Sequence, residues 1–71
     1  YLMDGDLKIA QDVFKVNMLL HPEIANTYDS YAEACMKLGQ KDLAIEHYKK
    51  ALMMDPLNTN ALAMLRELLN N

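Results

Sequence analysis

Two histidines, His21 and His47, one cysteine, Cys35, and six methionines are the side chains of this 71-residue chain able to hold a soft metal. Zinc sites draw such ligands from closely spaced pairs. His21, Cys35 and His47 are not paired at that kind of spacing, so neither a metal nor any other cofactor is expected. A nucleophilic cysteine needs a base or cation beside it. Cys35 has no histidine near it in sequence and sits on an apolar stripe, where a thiol behaves as a small hydrophobe. Asp29 and Glu33 stand at i and i+4 and share one helix face. Paired carboxylates do acid–base work only in a pocket that moves their pKa values; on an open face they repel one another in water. Ser30 lacks the glycines of a nucleophile elbow. His21, ahead of Pro22, suits a helix end, where a cation is worth roughly 0.3–1 kcal/mol. His47 is expected on an exposed helix face. Met18, Met53 and Met54 are expected to fill core gaps near helix ends. These residues describe no catalytic machinery, and the function must lie in the elements that carry them.

The composition allows one small helical domain. Hydrophobic residues make up 52% of the chain and charged ones 24%, which is not the balance of a disordered segment. A domain of this size buries only about 60% of its unfolded surface, so it depends on regular packing. A lone cysteine excludes an intramolecular disulfide. The net charge of −3 carries no basic footprint for nucleic acid. No apolar run is long enough to insert in a membrane, and no charged-then-apolar leader begins the chain. The first residue is Tyr1 rather than Met, so the chain is read as a piece of a longer protein.

One period organises the sequence. The separation of Gly5 from Gly39 equals that of Pro22 from Pro56. At the same offset Ala10 matches Ala44, Phe14 matches Tyr48, Lys15 matches Lys49, Asn26 matches Asn60 and Glu33 matches Glu67. Gly39 stands between two helical patterns, the place for a glycine with positive φ that ends a helix. Pro56 follows Asp55 and ends the next pattern, since proline lacks an amide and clashes with the preceding turn. Tyr28, Tyr31, Ala32 and Cys35 form a helical stripe, and Ala44, Tyr48, Ala51 and Leu52 form another. Asp42 and Glu46 toward the start of that second helix, with Lys49 and Lys50 toward its end, have the sense that complements the helix dipole. The small Ala32 and Ala44 let two helices approach closely. Helices are expected at about 7–20, 24–37, 41–54 and 58–69, with residues 1–4 closing an earlier one.

Paired helices with a period of about 34 residues resemble the tetratricopeptide repeat. The stretch Ala25 to Asn58 is similar to one full motif, with its signature residues at Tyr28, Ala32, Gly39, Ala44, Tyr48, Ala51 and Pro56. The earlier half-repeat departs at Asn17, where a small alanine is expected. The resemblance implies an all-α fold of antiparallel helix-turn-helix repeats: residues 1–22 as the second half of a repeat, 23–56 as a full repeat, and 57–71 as the first helix of a further repeat or a capping helix. In that last helix Leu62, Leu65 and Leu69 are expected to face the preceding repeat, with Arg66, Glu67, Asn70 and Asn71 as a polar end. A narrower resemblance is to the C-terminal tails of some bacterial serine hydrolases, β-lactamase-like or esterase-like. It rests on Tyr28-Asp29-Ser30-Tyr31-Ala32-Glu33-Ala34, on Gly39 to Tyr48, and on Asn58-Thr59-Asn60-Ala61. It implies a bacterial parent, cytoplasmic or periplasmic, with its catalytic domain upstream.

The first resemblance also implies where a partner would sit. Family positions that meet a ligand, in a concave groove, correspond to Asn26, Asp29, Ser30, Glu33 and Lys37, and in the last helix to Asn60, Ala63, Met64 and Glu67. Met36 and Met64 would border the groove. Asn26 and Asn60 recur one period apart and offer two amides to a peptide backbone. The face leans acidic, which favours a neutral or basic peptide. The alternative is a solvated polar face with no ligand. A different surface follows from the helix at about 7–20, which lacks most of its partner and carries Leu7, Ile9, Val13, Phe14, Val16 and Leu19. Each large apolar side chain left wet forgoes roughly 1.5–3 kcal/mol. Val13, Phe14 and Val16 are therefore expected to form an assembly face, covered by an upstream domain or a second copy. The two readings are a peptide-binding scaffold and an assembly tail; partners are proteins or peptides, not nucleic acid.

Overall fold

The computed structural model describes residues 4–70. It holds four helices: α1 Asp4–Leu20, α2 Ala25–Lys37, α3 Lys41–Met54 and α4 Thr59–Leu69. Each packs against the next along the chain, and the short connections reverse the direction at every step. The sequence period is also a structural one. Leu20 and Met54, which end α1 and α3, stand one period apart, and so do Ala25 and Thr59, which begin α2 and α4.

Local chemistry sets the boundaries. After α2 the amide of Gln40 donates to the carbonyl of Cys35 at 2.9 Å and that of Gly39 to Met36 at 3.0 Å. This pattern satisfies two end carbonyls through one left-handed residue, and Gly39 supplies it with φ at +78°. Ahead of α4 the Asn58 side chain accepts the amide of Ala61 at 3.0 Å, capping one of the free N–H groups of the first turn. Just before that cap the Leu57 amide donates to the Asp55 carboxylate at 3.2 Å, which turns the chain at Pro56.

Two expectations about the helix ends are corrected here. Gly5 does not separate two helices, because α1 begins at Asp4 and runs through it. A glycine inside a helix costs only about 1 kcal/mol against alanine, too little to break one. Of the segment 1–4 expected to close an earlier helix, residues 1–3 lie outside the described residues. Lys49 and Lys50 fall short of the last turn of α3, which holds no basic residue, so they add little against the dipole; Asp42 does sit in its first turn.

The core lies where α2 and α3 meet. Ala32, Cys35, Ala44, Tyr48 and Ala51 are fully buried there. Ala32 and Ala44 bring the two backbones together, and the Tyr48 ring fills the space beside them. Helix α4 adds Ala61, Leu65 and Leu68. The expected stripe of Leu62, Leu65 and Leu69 is thus corrected: only Leu65 faces inward, while Leu62 and Leu69 are exposed. Helix α1 adds Met18, with Phe14 packed half-buried against the same cluster. Met53 is also corrected, since it projects into solvent rather than filling a core gap.

Candidate interaction faces

The residues expected to line the groove lie on α2 and α4. Asn26, Glu33 and Lys37 are exposed on α2, and Asp29 and Ser30 are half-buried. On α4 Asn60, Ala63 and Glu67 are exposed and Met64 is half-buried against the core. The Asp29 carboxylate accepts from the side-chain amides of Asn58 and Asn60, each at 3.4 Å. This bridge joins α2 to the cap and first turn of α4. Glu33 pairs with Lys37 at 3.8 Å one turn along the same helix. Both partners are exposed, so the pair adds little stability. Met36 is half-buried against the core.

Below this face the Tyr48 hydroxyl is buried, with no hydrogen-bond partner among the described residues. Burial, then the carboxylates of Asp29 and Glu33 and the Cys35 thiol, push its pKa up to about 12. Tyr31 is raised too, first by burial and then by Cys35.

His47 departs from its expected place. Its side chain is only 14% exposed. The ring stands edge-on to Tyr31 at 4.6 Å between centroids and stacks with Tyr28 at 6.5 Å. Its Nδ1 lies 2.8 Å from the carbonyl of Leu43, which fixes that nitrogen as the donor. The edge of this aromatic cluster opens into a depression of about 650 Å³, with Ile45 and Met53 as apolar wall and Asp42, Glu46, Lys49 and Lys50 at the rim.

One polar core residue escaped the sequence reading. Gln11 is 3% exposed. Its Nε2 donates to the Cys35 sulfur at 3.2 Å and to the Gln40 side chain, and Lys8 donates to its Oε1 at 3.0 Å. The thiol of Cys35 is therefore enclosed and hydrogen-bonded rather than poised for attack. The only hint was that Gln11 stands on one stripe with Leu7, Phe14 and Met18.

Helix α1 has two sides. Gln11, Phe14 and Met18 face the core, while Ile9, Val13, Val16, Leu19 and Leu20 lie in water. Of the expected assembly face, Val13 and Val16 are exposed and Phe14 divides its surface between core and solvent. A notch of about 160 Å³ lies beside this face between Leu7, Ala10 and Phe14 of α1 and Glu33, Ala34 and Lys37 of α2.

Among the described residues no group of three His, Cys, Asp or Glu side chains could hold a metal ion, and no helix is long and apolar enough to cross a membrane. A family model described as tetratricopeptide repeat matches residues 25–58. No curated protein and no solved structure matches the chain.

Proposed function

We propose, from the tetratricopeptide repeat that residues 25–58 match, that the chain receives a neutral or basic peptide across the polar residues of α2 and α4. Repeats of this family are in general protein-interaction scaffolds and typically not catalytic. The observation that carries the finer reading is the Asp29 bridge to Asn58 and Asn60. It joins Asp29 of α2 to Asn60 of α4; Asn26 and Glu33 stand on the first of these helices and Glu67 on the second, a set with more acid than base. A peptide backbone would take the Asn26 and Asn60 amides, and a basic side chain would take Asp29 and Glu33. The test is fluorescence anisotropy with short basic, neutral and acidic peptides. Basic or neutral peptides are expected to bind best, with at least tenfold loss in the Asn26→Ala/Asn60→Ala double variant. Unchanged affinity in that variant, or a preference for acidic peptides, refutes the reading.

A second reading is favoured by the wet stripe on α1, where Ile9, Val13, Val16 and Leu20 recur at helical spacing and are all exposed. In this reading the chain is an assembly tail, joined in its parent to a bacterial hydrolase. Light scattering of the isolated chain tests it: a mass fixed at 8.1 kDa at every concentration counts against self-assembly.

A further inference from the structure

The depression beside the aromatic cluster is walled by α2 and α3, the two helices that each have a packed neighbour on either side. Its α3 wall is a single stripe. Asp42, Ile45, Glu46, Lys49, Lys50 and Met53 stand at i, i+3, i+4, i+7, i+8 and i+11, the spacing that sets residues on one helix face. Tyr28 of α2 stacks with His47 beside this stripe. Charge along it is sorted, with acid in the first half and base in the second. Asp42, Lys49 and Lys50 are exposed and enter none of the ion pairs among the described residues. Glu46 lies 3.9 Å from the His47 ring, itself charged only when protonated. Met53 closes the stripe and is 77% exposed. The face therefore combines an apolar hollow with charges that have no ion-pair partner of their own.

We propose that this face pairs with the same face of a second copy, α3 against α3 and antiparallel, across a two-fold axis. Charge complementarity selects this occupant. Reversing the helix lays the acidic half of one stripe over the basic half of the other. Near the axis Glu46 of each copy meets Lys49 of the other, and further out Asp42 lies within reach of the other copy's Lys50. The two-fold makes every such contact twice and closes the assembly at two chains. A parallel pairing would set acid on acid and base on base, and would align two helix dipoles that the antiparallel one opposes. In the same register the aliphatic stem of Lys50 covers Ile45 of the other copy, and Met53 extends over the start of its α3. The surface shares nothing with the polar residues of α2 and α4 or with the wet stripe on α1, so the proposal rests on neither reading.

The test is light scattering over a concentration series with charge-reversed variants, Lys49→Glu/Lys50→Glu and Glu46→Lys. All three positions are exposed, so circular dichroism is expected to keep the helix signal; Met53→Glu serves if either variant loses it. At low ionic strength the unaltered chain is expected to rise from 8.1 kDa and level off at twice that mass. Each charge variant alone is expected to self-associate at least about tenfold more weakly. An equimolar mixture is expected to restore the dimer, because one variant then carries only acid along the stripe and the other is mainly basic. One molar salt, where charges are screened beyond about 3 Å, is expected to weaken the unaltered dimer and the mixed one alike. A single-chain mass up to millimolar concentration overturns the proposal and the assembly reading together. Self-association that survives the charge variants, or that Val13→Glu on α1 abolishes while they do not, overturns α3 as the interface and leaves the assembly reading standing. Variants that weaken association and are not rescued by mixing overturn the antiparallel register.

Discussion

Removing the Tyr48 hydroxyl is expected to stabilise the protein. Tyr48 is completely buried, and its hydroxyl has no hydrogen-bond partner among the described residues. A buried polar group left unpaired costs about 1–3 kcal/mol. Tyr48→Phe removes that group and keeps the ring that fills the gap beside Ala32 and Ala44. The expected gain is about 1 kcal/mol, equivalent to a rise in Tm of roughly 4–8 °C for a domain of this size. The pH dependence gives an independent check. The folded pKa is about 12 against an ordinary value of 10.0, raised by burial and then by Asp29, Glu33 and Cys35. The unfolded chain therefore releases this proton first, and the native state binds more protons between the two values. Stability attached to the neutral phenol is complete below pH 10 and is lost as pH rises toward 12. Two units of difference correspond at most to roughly 2–3 kcal/mol. Tyr48→Phe lacks this loss, so its advantage over the unaltered chain is expected to grow by about that much at high pH, with the other tyrosines cancelling in the comparison. Urea unfolding of both proteins at pH 7 and in steps from pH 9 upward measures it. A Tyr48→Phe chain less stable by about 1 kcal/mol or more means that the hydroxyl is partnered, and a gap that does not widen with pH means that water reaches it; either result refutes the reasoning.

Three further substitutions test the elements that hold the faces in place, each read by urea unfolding. Gly39→Ala is expected to cost about 1–2 kcal/mol, because φ is +78° there. An added Cβ would meet nothing within 4 Å, so Gly39→Asn should recover part of the loss. Asn58→Ala removes the cap on α4 and is expected to cost about 1 kcal/mol, with Asn58→Ser close to neutral. Ala44→Leu forces α2 and α3 apart and is expected to cost about 1–3 kcal/mol; a neutral result would mean that the helices do not meet at Ala32 and Ala44.

The period, the four helices and the α2–α3 core were legible in the sequence because their signals are local or repeated. Gly39 stops a helix by its own conformational freedom, Pro56 by its missing amide, and the alanines mark close approach by their size. Which side of a terminal helix is covered is not a local property. Leu62, Leu65, Leu68 and Leu69 are chemically alike and fall close together on one helix. Only the packing of α4 against α3 selects Leu65 and Leu68 for the core and leaves Leu62 and Leu69 wet. Gln11 is buried for the same kind of reason: the loop after α2 brings Gln40, and α2 brings Cys35, to a side chain whose own neighbours in sequence announce nothing. His47 left water because two tyrosines from another helix arrived over it, and Met53 stayed in water because nothing did. Backbone propensity and residue spacing act within a few residues, so the helices, their order and their repeat could be read from the chain alone. Burial depends on a second helix that no local pattern contains, so the partners of each apolar and polar side chain emerged only when the helices packed.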